Sequence, residues 1–221
     1  MFYSMEPSVS GVGVLDKGVA VLRALEVESL GLAGLVESTG FSRATTHRLA
    51  TALETHGLIR RDREGRFALG PRLVTLGLSA AEQWPLAEAA GNALKTLRDS
   101  TGESAQLYVR AGDNRLCIAS LESPHGLRTI VATGATLPLG QGSGGRVLAG
   151  DTDRHGWIAS VEERETGVAS VSAPVLDSRR GVVAAVSISG PVDRTSRDPG
   201  PVFGPAVLAA AQQIASEAGL S

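Results

Sequence analysis

The chain has 221 residues, of which 43% are hydrophobic, 20% charged and 4% aromatic, with a formal net charge of −2. That suffices for one sizeable core, or a small one plus a medium one, built mainly from Leu, Val, Ile and Ala. A single cysteine, Cys117, excludes an internal disulfide and any multi-cysteine metal site, and no apolar run approaches the roughly 20 residues that span a bilayer. The opening MFYSMEPSVSGVG lacks the basic start and apolar core of a signal peptide. A cytoplasmic location without membrane association is therefore expected, with either Met1 or Met5 as the true start.

Leu15, Val19, Leu22 and Leu25 repeat at three- and four-residue spacing and predict an amphipathic helix over 14–27. Leu32, Leu35 and Val36 predict a second, short helix ending near Gly40, which can take the left-handed terminal position. Phe41 is expected to pack at the turn, and Ser42 to cap a third helix. On that helix Thr46, Leu49, Ala50 and Leu53 fall within about 100° of one another and should face the core. Ala44, His47, Arg48 and Thr51 lie opposite, with Arg43 and Thr45 on the flanks.

Leu58 to Arg61, a turn at Asp62–Gly65, and Arg66 to Leu69 read as a two-stranded hairpin with Phe67 and Leu69 inward. Arg61, Arg63 and Arg66 are then expected to be free for phosphates. Two helices, a tight turn and a basic hairpin spell a winged helix-turn-helix over 12–70. Between Ser42 and Arg66 six arginines face three carboxylates, a local net of +3, whereas beyond Arg72 there are 12 basic and 15 acidic residues. A basic patch on an otherwise acidic chain marks a nucleic-acid footprint. Arg48 suits guanine O6 and N7 or a phosphate, Ala44 or Thr45 can offer a methyl to thymine, and Ser42 with the helix N-terminus can hold a phosphate. For His47 an ordinary exposed histidine, and for Arg48 a surface ion pair, are the bland alternatives.

Residues 71–85 read as a linker helix carrying Leu73, Leu76 and Leu78 and stopped by Pro85. The remainder, 86–221, begins with a helix from Leu86 to about Ser100. Strands are expected at Ser104–Ala111, Arg115–Glu122, Leu127–Ala132, Val168–Leu176 and Gly181–Ser189, and a closing helix at Phe203–Ala218. That order predicts an α+β domain of sensor type.

Enzymatic and metal chemistry find little support. Gly140 to Arg146 resembles a phosphate-cradling loop but lacks the Gly-Lys-Ser/Thr ending of a P-loop. A serine nucleophile needs a histidine base, and of His47, His56, His125 and His155 two lie in the first module, while His125 beside Pro124 reads as a surface residue. Cys117 sits mid-strand as a small hydrophobe, and no His/Cys/Asp cluster has ligand spacing. No catalytic residue, metal or cofactor is expected.

The strings TGFSRATTHRLATALETHGLIRRD, GRFALGPRL, TGESAQLYVR, LPLGQGSGGRVLAG, GVASVSAPV and VVAAVSISGP run almost end to end and together resemble the IclR family of bacterial transcription regulators. The strings GVGVLDKGVAVLRALE and TGESAQLY resemble more closely an actinobacterial subgroup that governs amino-acid biosynthesis, notably of leucine. The resemblance implies a winged helix-turn-helix joined by a helix to a GAF-like α/β effector-binding domain with an antiparallel sheet. It implies homodimers or dimers of dimers on a double-stranded operator, and a small effector, here an amino acid or pathway intermediate. It places the effector pocket at Ser143 and Gly144 after the LP string, at Glu163 in the acidic segment, and at Ser170 where several relatives carry cysteine. Ser187 and Ser189 match the two serines of the SISGP string, and a spacing of two directs both hydroxyls to one face. Relatives place a few tens of residues between the LP-loop helix and the acidic segment; here only Asp151–His155 separate Gly150 from Gly156, so the lid is expected to be reduced or missing. A regulator independent of any effector, with a C-terminal domain that only oligomerises, is the alternative.

Overall fold

The computed structural model describes residues 10–151 and 153–220. The two alternative starts lie outside the described residues. The chain divides into two compact units, one ending at Gln83 and the next beginning at Trp84.

The first unit contains helices α1 (Gly13–Val27), α2 (Leu32–Thr39) and α3 (Arg43–Thr55), strands β1 (Ile59–Arg61) and β2 (Phe67–Leu69), and helix α4 (Pro71–Glu82). α2 ends at Gly40, whose φ of 69° lets its amide close on the Val36 carbonyl. The core gathers Val21, Leu25, Leu35, Leu49, Ala50, Ile59 and Phe67. Thr46 is buried with them, its hydroxyl donating to the Ser42 carbonyl at 3.1 Å. One expectation fails on α1: its buried positions are Val21 and Leu25, while Leu15 and Val19 are 57% and 39% exposed. The three- and four-residue spacing marks a helix correctly, but two overlapping apolar stripes share it, and only the stripe facing α2 and α3 is covered. α4 buries no side chain among those described, and its Val74, Leu76 and Leu78 are exposed.

The second unit is a six-stranded antiparallel sheet in the order β5-β4-β3-β8-β7-β6. Its elements are α5 (Pro85–Thr101), β3 (Ser104–Ala111), β4 (Asn114–Leu121), β5 (Thr136–Pro138), α6 (Gly142–Ala149), β6 (Ile158–Val161), β7 (Val168–Leu176), β8 (Val182–Pro191), the short α7 (Val192–Thr195) and α8 (Pro199–Glu217). Pro85 opens α5 in a first-turn position, where its missing N–H leaves no bond unmade. Leu107, Val109, Val171, Ala173, Val186 and Ile188 pack with Leu94, Leu97, Val207 and Ile214 of α5 and α8. The alternate residues Tyr108, Cys117 and Ala185 point to the opposite face, where Val147 and Leu148 of α6 close over them. A sheet covered on both faces explains strands that read as nearly continuous apolar runs.

The strand expected at Leu127–Ala132 is absent. Leu127 and Ile130 are exposed and only Thr129 and Val131 are buried, so this stretch is an irregular loop, and the edge partner of β4 is β5 instead. The β4–β5 pairing needs only Asn114 to Leu116 against Thr136 to Pro138, too short a run to leave an alternating signature. Between α6 and β6 the described residues form only a short turn at Arg154–Gly156.

Candidate nucleic-acid interface and ligand cavity

The Ser42 side chain accepts from the Thr45 amide at 3.3 Å and its hydroxyl donates to Thr45 Oγ1 at 3.0 Å. That cap satisfies one of the free amides of α3 and fixes its first turn. Burial of Thr46, Leu49 and Ala50 then dictates the opposite face, leaving Ser42, Arg43, Ala44, His47, Arg48 and Thr51 exposed and Thr45 half-buried. Among the described residues Arg43 and Arg48 enter no ion pair. The helix therefore presents a polar, cationic face with side chains of groove-reading type.

The wing differs from expectation. Its turn is built on Asp62, whose Oδ1 accepts from the amides of Glu64 and Arg66, both at 2.9 Å. Arg66 Nε lies 2.9 Å from Asp62 Oδ2 and its Nη2 3.3 Å from Glu64 Oε2. Burial pushes the Asp62 carboxyl up, but the hydrogen bonds from Arg66 and from the Glu64 amide outweigh it and hold the group below its usual range. Arg61 lies with its guanidinium 3.6 Å from the Phe67 ring centroid, donates to the Gly65 carbonyl at 2.8 Å and pairs with Glu54 at 3.5 Å. Arg61 and Arg66 are thus engaged within the wing rather than free, and Arg63 is the one of the three without an ion pair among the described residues. The signal was present in the sequence: an Asp opening a four-residue turn prefers to bond the backbone two residues on.

On the α6 face of the second unit, strand register aligns polar side chains into a ladder. Ser170 stands opposite Ser160 on one side and Ser189 on the other, and Ser172 opposite Ser187. Ser143 at the start of α6 drops into this ladder, its Oγ 2.7 Å from both Ser170 Oγ and Ser172 Oγ, and its amide donates to Ser160 Oγ at 3.1 Å. Ser160 and Ser170 lie 2.9 Å apart, Ser172 bonds Ser187, and Ser189 Oγ donates to Gln106 Oε1 at 3.3 Å. A cavity of about 30 Å³ remains, lined by Gly144, Ser160, Ser170, Ser187 and Ser189 together with Gln106, Tyr108 and Arg115.

Of the six expected effector residues, Gly144, Ser170, Ser187 and Ser189 line the cavity, and Ser143 lies in the hydroxyl network beside it. Glu163 does not line the cavity but contacts Gly142, which does. Its carboxylate accepts from the Gly142 amide at 3.2 Å and pairs with Arg146 at 3.1 Å, where it favours the positive end of α6. Ser160, Ser172, Gln106 and Arg115 were not anticipated. Ser172 repeats the spacing of two from Ser170, but nothing in the sequence marks Arg115 as buried. Arg115 is 3% exposed, donates through Nη1 to the carbonyls of Pro138 and Gln141, and lies 5.2 Å from the Tyr108 ring centroid. Burial pulls its pKa down, an effect the neighbouring Tyr108 opposes. The glycines of the loop have packing reasons. A Cβ on Gly144 would stand 2.8 Å from Ser187 Oγ, and one on Gly145 would overlap the Leu139 carbonyl and the Arg115 guanidinium.

Family models for the "IclR helix-turn-helix domain" and "Bacterial transcriptional regulator IclR C-terminal" match residues 14–63 and residues 78–155 and 150–216. The second model matches in two pieces that meet at the shortened segment. The chain is 30% identical to the glycerol operon regulatory protein of Streptomyces coelicolor, over 83% of this chain and 87% of the relative. The fold is that of an IclR transcriptional regulator from Alicyclobacillus acidocaldarius, with a TM-score of 0.80 at 22% identity, covering 94% of this chain and 99% of the other. It is equally that of an IclR homologue from Microbacterium hydrocarbonoxydans complexed with 4-hydroxybenzoate, with a TM-score of 0.76 at 19% identity, covering 94% and 100%.

Proposed function

The chain belongs to the IclR family of bacterial transcriptional regulators, and on that premise we propose that it is a cytoplasmic, sequence-specific DNA-binding regulator whose operator affinity is set by a small molecule in the serine-lined cavity. The carrying observation is the α3 face. A side-chain cap fixes the helix, Thr46, Leu49 and Ala50 anchor it, and Arg43, His47, Arg48 and Thr51 stand outward. Such a helix enters the major groove with its first turns toward base edges and phosphates. The residues proposed to contact DNA are Ser42, Arg43, Ala44, Thr45, His47, Arg48 and Thr51, joined by Arg63 at the wing tip and, more weakly because carboxylates compete for them, by Arg61 and Arg66. In this division 12–70 reads DNA, 71–85 links, and 86–221 binds effector and assembles.

One such module offers few phosphate contacts, so it acts in a homodimer or a dimer of dimers. Support comes from α4, which leaves Val74, Leu76 and Leu78 exposed, and from Leu15 and Val19 of α1. An isolated helix of this length is marginal in water, and apolar burial against a second copy supplies what it lacks. A homologue of the same fold is complexed with 4-hydroxybenzoate, which supports reading this chain as one that answers to a small molecule. The resemblance in the opening helix implies amino-acid biosynthesis genes as targets, whereas the Streptomyces coelicolor relative is named for a glycerol operon. Footprinting on the chain's own promoter and on neighbouring genes chooses between them.

A second reading follows from the size of the cavity: about 30 Å³ lies far below the several hundred typical of ligand pockets. In this reading the second unit only oligomerises and operator binding ignores small molecules. Gel-shift titration with amino acids, glycerol and short organic acids decides. Operator affinity that changes with one of them supports the switch, and affinity constant across all of them leaves the effector-independent regulator. Absence of any specific DNA binding removes both.

A further inference from the structure

The cavity holds two features that no contact among the described residues accounts for. Arg115 is 3% exposed, yet its partners are the main-chain carbonyls of Pro138 and Gln141 and the side chain of Tyr108, with no carboxylate, and its Nε has no acceptor among the described residues. A buried cation without a carboxylate is unfavourable unless something else compensates it. The acidic residues nearby do not serve. Glu163 is held by the Gly142 amide and Arg146, and Glu165 pairs with Arg164, a second cation on the cavity wall. Gln106 is fully buried on the same wall, with Oε1 taken by Ser189 and Nε2 without a partner. Turning the amide over would exchange which end lacks a partner. A ligand hydroxyl, donor and acceptor at once, satisfies either orientation.

We propose that this cavity selects a small hydroxy-carboxylate, with Arg115 taking the carboxylate and Gln106, Ser187 and Ser189 taking the hydroxyl. The inference rests on reading the cavity as the effector site, and it names Arg115 and Gln106 as the residues that set its specificity. At about 30 Å³ the cavity is smaller than these acids, so the serine hydroxyls and the start of α6 must give way to admit one, and the smallest acids need the least displacement. Charge separates this class from a neutral polyol, which would leave Arg115 uncompensated.

The test is isothermal titration of the full chain with L-lactate and D-glycerate against their neutral counterparts propane-1,2-diol and glycerol, with acetate and inorganic phosphate as further arms. The two hydroxy acids are expected to bind and the diols not to bind at tenfold higher concentration. Arg115→Gln is expected to weaken the acids by about 10- to 150-fold, the loss of one charge-assisted hydrogen bond. Gln106→Leu should weaken lactate while leaving acetate unchanged. Where Arg115→Gln does not fold, because Pro138 and Gln141 lose their donor, Arg164→Gln on the more exposed rim replaces it. That variant should weaken lactate several-fold and change nothing for the diols.

Glycerol binding as tightly as glycerate overturns the proposal, as does preference for phosphate, no binding of any acid, or lactate affinity unchanged in a folded Arg115→Gln or in Arg164→Gln. A gel-shift run in parallel separates this from the regulator reading. Operator binding that responds to glycerol alone keeps the switch and removes the anion. Acid binding in a chain that ignores DNA does the reverse.

Discussion

Gly145→Ala should destabilise the second unit far more than Gly144→Ala, although the two residues are neighbours on α6. A Cβ on Gly145 would stand 2.9 Å from the carbonyl carbon of Leu139 and closer still to its oxygen and to Arg115 Nη1. Backbone cannot rotate aside, so β5 and the following turn must shift; overpacking of this kind costs about 1–3 kcal/mol. Displacing Arg115 also loosens its 2.8 Å bond to Pro138, and a hydrogen bond to a charged group contributes about 1.5–3 kcal/mol. Together these give about 2.5–6 kcal/mol. At Gly144 the added methyl meets Ser187 Oγ at 2.8 Å, a hydroxyl that can turn, so less than about 1.5 kcal/mol is expected. Both tryptophans, Trp84 and Trp157, lie in the second unit, so their fluorescence reports its urea unfolding selectively. With one slope of about 1–3 kcal/mol/M for both variants, Gly145→Ala should lower the midpoint at least about twice as far as Gly144→Ala. Equal midpoints for the two variants would refute the packing argument and return the glycine run to a ligand-cradling role.

Other consequences concern the wing, the thiol and assembly. Arg63→Ala should reduce the salt slope of DNA binding by about one counterion, and Arg66→Ala by less, because Asp62 and Glu64 hold Arg66. Asp62→Asn keeps the turn acceptor but leaves Arg66 only Glu64 as an ion-pair partner, and should raise affinity at low salt; equal slopes for the two arginine variants would show that the ion pairs do not persist on DNA. Burial pushes the Cys117 thiol up to about 11. It is therefore protonated at about pH 8, and iodoacetamide should label it only after denaturation; native labelling at the rate of a free thiol contradicts this. Leu78→Glu, at a position 63% exposed, should shift sedimentation from dimer to monomer without lowering the second unit's unfolding midpoint. An unchanged mass places the dimer contact elsewhere.

Much of the first unit was legible because short-range chemistry sets it. Gly40 in the left-handed region, Ser42 as a cap, and Phe67 buried opposite exposed arginines each follow from one residue type at one position. α1 was legible as a helix but not in its orientation, because Leu15 and Val19 look as core-like as Val21 and Leu25 when nothing shows which stripe is covered. In the second unit the long strands β3 and β7 were read to the residue, while β5 and β6 escaped because three or four residues carry no period. Leu127–Ala132 carries strand-forming residues, but its neighbours give it no partner.

The cavity was half legible. Serines at 170, 187 and 189 could be placed by alternation, but Ser160 reaches them only through the β6–β7 register. The burial of Arg115 depends on α6 closing over β4, a long-range fact that no local pattern encodes. Glu163, placed at the pocket by the resemblance, is engaged by the Gly142 amide and Arg146 at the start of α6, contacts that no local pattern encodes.

Fluorescence anisotropy of the intact protein on its own promoter region, with wild type and Arg48→Ala, tests the central claim most directly. A specific site comprising two half-sites about 34–36 Å apart, one helical turn, is expected. Arg48→Ala should cost about 1–3 kcal/mol, a loss that disappears when the contacted guanine is replaced in both half-sites. Binding that does not distinguish the promoter from random duplex, or that is unchanged by Arg48→Ala, would contradict that claim.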